Sequence, residues 1–85
     1  MKIRHNSRKY RVLKHLVEYG TITRDYAIRV FLVQNIADVI CNLRFDHGLR
    51  IYTNKFNQEN GLTVAVYELP YYERNKAQEA LKRAI

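Results

Sequence analysis

The chain is 85 residues long, with fifteen Lys and Arg against eight Asp and Glu, a net charge of +7 and a pI near 9.8. That length allows one domain with a modest core, and its single cysteine, Cys41, excludes an intrachain disulfide framework or a cysteine-built zinc site. No apolar run reaches the length of a membrane span and no signal peptide is legible, so the expectation is a cytoplasmic basic domain attracted to polyanions, nucleic acid above all.

Residues 1–14 carry six basic side chains and no acid: Lys2, Arg4, Arg8, Lys9, Arg11 and Lys14. Residues 1–6 read as an arm. Ser7 is a plausible N-cap for a first helix to about Tyr19, with Tyr10, Leu13, Leu16 and Val17 as its inner side. Arg8, Arg11 and Lys14 fall on another side. They suit either phosphate contact or plain solvation. Gly20 fits the left-handed position that follows a helix. Thr21-Ile22 is a β-branched pair able to join a later hairpin as a very short strand.

Residues 21–43 read as two short helices around a tight turn, a helix-turn-helix. Thr23 caps the first, and Asp25 suits the positive end of its dipole. Tyr26, Ala27 and Val30 are expected inside. The chain then bends around Phe31 to Val33. The second of these helices is expected to open near Gln34, bury Ile36, Ile40 and Leu43, and end near Phe45 or Asp46 before Gly48. Cys41 lies among apolar residues there and is expected to be buried.

Residues 49–56 read as a strand, the Asn60-Gly61 step as a hairpin turn, and residues 62–69 as the returning strand. On that strand Leu62, Val64, Val66 and Glu68 share one face, and Thr63, Ala65, Tyr67 and Leu69 the other. Both faces are partly apolar, and the pattern does not choose between them. Pro70 closes the hairpin. Residues 71–85 read as an added helix with an apolar set at Ala77, Leu81 and Ala84 and a Glu79–Arg83 pair. The expected fold class is therefore α+β: a three-helix core plus a β-hairpin wing over 1–70, and a C-terminal helix over 71–85.

The order and spacing of these pieces resemble the small winged helix-turn-helix proteins of bacteriophages and prophages. The matching positions are Gly20, Ile22 and Thr23 before the second helix, Asn42, Leu43 and Arg44 at the end of the third, and Gly48, Ile51 and Thr53 opening the wing. The likeness covers roughly residues 7–69, by reading of pattern. It implies a winged-helix fold and a DNA-binding, often regulatory, role. One departure stands out. Such proteins often expose Arg or Lys on the third helix, whereas the expected outward positions here are Gln34, Asn35, Asp38, Val39 and Asn42.

Gln and Asn bond bidentately to adenine, and Asp accepts from cytosine N4. Gln34, Asn35, Asp38 and Asn42 are thus the candidate base readers. Affinity must come from cations elsewhere, and the candidates for phosphate contact are Arg4, Arg8, Arg11, Lys14, Arg24, Arg44 and Lys55. The expected ligand is double-stranded DNA, bound by a monomer or a two-fold dimer in transcriptional control or a recombination complex, with no cofactor or metal. A rival reading makes the chain a protein-binding inhibitor or adaptor acting on a host enzyme or defence complex. Its partner surface would be Tyr71, Tyr72, Leu81 and Ile85 on the tail helix.

Catalysis has little support. His5, His15 and His47 are scattered and lack a local carboxylate or nucleophile partner. Tyr10, Tyr19 and Tyr26 sit near core spacing and read as packing residues. A platform for single-stranded nucleic acid needs aromatics together on one open face. Sequence spacing displays no such face.

Overall fold

The computed structural model describes residues 3, 4, 7–57, 61 and 63–84. Helix α1 spans Arg8–Tyr19, strand β1 Thr21–Thr23, helix α2 Arg24–Phe31 and helix α3 Ile36–Asp46. Strands β2, Tyr52–Asn57, and β3, Thr63–Glu68, follow. A turn of 3-10 helix over Tyr71–Glu73 leads into helix α4, Arg74–Lys82. Among the described residues the class is α+β, four α-helices and a three-stranded antiparallel sheet, a layout compatible with a winged helix.

Local chemistry sets the helix ends. The Ser7 hydroxyl accepts from the Tyr10 amide at 3.2 Å, and the Thr23 hydroxyl from the Tyr26 amide at 3.1 Å. Gly20 ends α1 at φ +84°, donates to Leu16 O at 2.8 Å, and its own carbonyl accepts from the Leu69 amide at 2.8 Å. That one residue turns the chain out of α1 and into the sheet. Leu32, with φ 57°, ends α2, and its amide donates to Ala27 O. A left-handed conformation at a bulky residue is strained. It produces the reversal that sets α2 and α3 at 100°.

The sheet runs β1-β3-β2. Ile22 pairs with Tyr67 and Lys55 with Ala65, so the β-branched pair after α1 does join the hairpin. The core face of β3 is the one carrying Ala65, Tyr67 and, past its end, Leu69: Tyr67 and Leu69 are buried and Ala65 packs against the core. Val12, Leu13 and Leu16 of α1, Ile22, Ala27, then Ile36, Ile40 and Leu43 of α3 complete the centre.

Several expectations are corrected. Helix α3 opens at Ile36, not near Gln34: the Asn35 amide group donates to Asp38 Oδ2 at 3.0 Å, and its side chain makes no cap bond. The turn is accordingly Leu32–Asn35. Within α2, Ala27 is buried and Phe31 packs on the core, while Tyr26 and Val30 are 40% and 50% exposed. Cys41 is exposed. A helix rotates about 100° per residue, so the position after buried Ile40 swings outward. Val39, expected outside, packs partly against the core. The segment 49–51 is no strand; Leu49 and Ile51 fill the core, and the ladder begins at Tyr52.

Helix α4 packs back along α1, with Ala77 fully buried and Ala80 and Leu81 against the core. Lys76 Nζ donates to Gly48 O at 2.7 Å, tying α4 to the end of α3. The ion pair seen is Glu79–Lys82 at 3.9 Å rather than Glu79–Arg83, and both side chains are exposed. Most of the arm, including Lys2 and His5, lies outside the described residues, as do Glu59, Asn60, Leu62 and Ile85. Among the described residues no single helix is long and apolar enough to cross a membrane.

Candidate nucleic-acid interface

Helix α3 buries Ile36, Ile40 and Leu43, which leaves Ala37, Asp38, Cys41, Asn42, Phe45 and Asp46 exposed. Two bonds order the polar part of this surface. Asp38 accepts the amide of Asn35 on its carboxylate, and its backbone carbonyl accepts Asn42 Nδ2 at 3.0 Å. Asn42 keeps its carbonyl oxygen and one N–H for a ligand. Gln34 is exposed in the turn just before the helix. The four predicted base readers therefore lie within or beside the start and middle of α3, with Asn35, Asp38 and Asn42 joined by short local bonds.

An apolar stripe runs beside them. Ala37, Cys41 and Phe45 recur every four residues, all exposed, Phe45 at 82%. The apolar pattern does not reveal this stripe, because it places Cys41 in the core, whereas Cys41 is exposed.

The predicted cations separate into three groups. Arg24, at the start of α2, and Lys55, on β2, are exposed, as are Arg4 and Arg8 before and at the start of α1. Arg44 is different. It is half-buried: Nε donates to Ile51 O at 2.8 Å, and Nη2 donates to Ile51 O and, at 2.8 Å, to Thr53 Oγ1. Its guanidinium joins α3 to the entry of β2, so Nε and Nη2 are engaged within the fold.

Arg11 and Lys14 form the third group. Val12, Leu13 and Leu16 turn into the core, so Arg11 and Lys14 stand on the outer side of α1. There they line an open depression between α1 and α2 of about 390 Å³, with Tyr26 and Phe31 on the far wall and no residue of α3. Lys14 also edges a groove toward Gln78, Leu81 and Lys82 of α4. The rings in the depression are gathered. His15 lies 4.6 Å from Tyr19 and 4.6 Å from Tyr26, and Tyr26 meets Phe31 edge-on at 5.8 Å. Burial lowers the His15 pKa from its ordinary value, opposed by a hydrogen bond to the Thr21 backbone and by Glu18.

On the tail, Tyr71 is 81% and Tyr72 54% exposed. The Tyr72 hydroxyl bonds to that of Tyr52 at 2.7 Å, which raises the Tyr72 pKa. Leu81 is half-buried against the core, so of the predicted partner residues it is largely occupied within the domain. A cavity of about 540 Å³ opens between the end of α3 and α4, where His47 Nε2 is buried without a hydrogen-bond partner. Among the described residues no cluster of His, Cys, Asp and Glu is arranged to hold a metal ion.

Comparison with protein-family models, curated proteins and solved structures returned no match. The functional reading therefore rests on the residues and their arrangement.

Proposed function

We propose that the chain is a small winged helix-turn-helix protein that binds double-stranded DNA, in the manner of the phage and prophage proteins its sequence resembles. The observation that carries the reading is the 100° setting of α2 and α3, with the polar surface of α3 from Asp38 to Asn42 turned out of the core. In a helix-turn-helix that second helix enters the major groove. The net charge of +7 supplies the general attraction. Gln34, Asn35, Asp38 and Asn42 read base edges, and Arg4, Arg8, Arg24 and Lys55 contact phosphates. A two-fold dimer would add the contacts that one small module lacks.

The test is selection from a random duplex pool at two salt concentrations. A motif should be enriched, and Asn42→Ala should relax it at one position at a cost of about 1–3 kcal/mol in discrimination. No enrichment, or a motif that Asn42→Ala leaves unchanged, counts against base reading by α3. The symmetry of the motif reports whether the bound species is a dimer.

A second reading has its own observation. The exposed stripe Ala37–Cys41–Phe45, flanked by Asp38 and Asp46 and free of basic residues, suits a groove on another protein. On that reading the chain is an inhibitor or adaptor of a host enzyme or defence complex. Phe45→Ala would then abolish the protein complex. On the DNA reading it would leave the selected motif intact.

A further inference from the structure

The depression on the outer side of α1 combines features that the helix-turn-helix does not use. Four aromatic rings and an imidazole line it, and two rings remain accessible: Tyr19 is 68% and Tyr26 40% exposed, and Tyr10, His15 and Phe31 are half-buried. Exposed aromatics gathered with cations are costly as mere packing, because apolar surface is left in water. Arg11 and Lys14 form one rim, and Glu18 contributes a single carboxylate. The charge excludes a cationic guest of the kind that aromatic cages hold. It favours a ligand with a flat π-face at one end and an anion at the other.

A nucleotide is such a ligand. We propose that this depression binds a single unstacked nucleotide, its base against the exposed rings of Tyr19 and Tyr26 and its phosphate between Arg11 and Lys14. The volume of about 390 Å³ falls at the lower end of the range for small-molecule sites. Base-on-aromatic stacking tolerates any base, and cations beside the rings track the backbone. His15 lies 4.6 Å from both tyrosine rings and holds them in place beneath the base. Glu18 can accept a hydrogen bond from an exocyclic amine. The nucleotide comes either from a single strand or as a free monophosphate. The site shares no lining residue with α3, and the proposal does not depend on duplex binding.

The experiment is a titration of the full chain, followed by aromatic NMR shifts and tyrosine fluorescence, with three probes: a ten-residue oligo(dT), thymidine monophosphate and inorganic phosphate. The expected result is that oligo(dT) moves the ring signals of Tyr19, His15 and Tyr26. Tyr19→Ala, at an exposed position, should weaken binding about tenfold or more, given the usual strength of base stacking. Tyr19→Phe should restore it, and Lys14→Gln should weaken it with the stacking shifts preserved. Comparable affinity for the monophosphate identifies a free nucleotide as ligand, and preference for oligo(dT) identifies a strand. Equal binding by Tyr19→Ala, no shift at these rings, or equal shifts with inorganic phosphate would overturn the proposal. Selection of a duplex motif is scored separately, so either site can fail alone.

Discussion

Arg44 shows how a residue's neighbours decide its role. From sequence it is one cation among fifteen, placed at the end of a DNA-reading helix. In the fold it bonds Ile51 O and Thr53 Oγ1 and ties the entry of β2 to α3. Arg44→Ala should therefore lower stability by about 2 kcal/mol, since hydrogen bonds to charged groups carry more than neutral ones. Arg44→Lys should restore little of it, because an ammonium lacks the planar fork. Urea denaturation checks both; a loss under about 0.5 kcal/mol for the alanine variant would mean the clamp is replaced by solvent.

His15 gives a pH dependence whose sign is fixed. Its folded pKa lies below the ordinary value of 6.5, first through burial, against the opposing Thr21 backbone bond and Glu18. The unfolded chain then binds more protons, and stability rises with pH across that interval. The His15 contribution is complete above about pH 6.5 and is lost as pH falls toward the folded pKa. Burial also lowers the His47 pKa, and it acts in the same direction. Melting temperature should fall on acidification from pH 7.5 to 5, and His15→Phe should flatten that slope. An unchanged slope in the variant would place the effect elsewhere.

At the scale of elements, α4 belongs to the domain. Ala77 is fully buried, and Lys76 bonds the loop after α3. Ala77→Glu should detach α4 or cost more than about 3 kcal/mol, the penalty of burying an unpaired carboxylate. Gln78→Glu, one residue on and exposed, should be nearly neutral. Amide exchange in α4 distinguishes detachment from global unfolding. The element order was legible because its signals are local: Ser7 and Thr23 as caps, Gly20 as a stop, β-branched alternation in β3. The errors fell where packing overrides pattern. Spacing puts Cys41 in the core and Tyr26 and Val30 on an inner face, yet all three are exposed, since an apolar run longer than one stripe does not say which stripe turns inward. The pattern puts the start of α3 near Gln34, whereas Asn35 holds the cap position and bonds Asp38, and the helix opens at Ile36.

At the scale of the molecule, the predicted phosphate cations divide between different surfaces. Arg24 and Lys55 are left to the proposed duplex site with Arg4 and Arg8, while Arg11 and Lys14 stand over the α1–α2 depression. Duplex affinity should thus fall with salt at a modest slope. Arg24→Ala should reduce that slope by about one unit, as each phosphate contact contributes roughly 0.9. Lys14→Gln should leave it unchanged. Equal losses for both variants, measured by duplex titration at four salt concentrations, would merge the two surfaces into one.

The sequence by itself determined the α+β class, the helix caps, the hairpin and the net positive charge, because each depends on neighbours a few residues apart or on composition alone. Only the tertiary structure decided which face of β3 is core, that Arg44 is a clamp, and that Tyr19, His15, Tyr26 and Phe31 share one open surface with Arg11 and Lys14. Those outcomes depend on how the helices and the sheet turn against one another about a common core. No local spacing encodes that rotation.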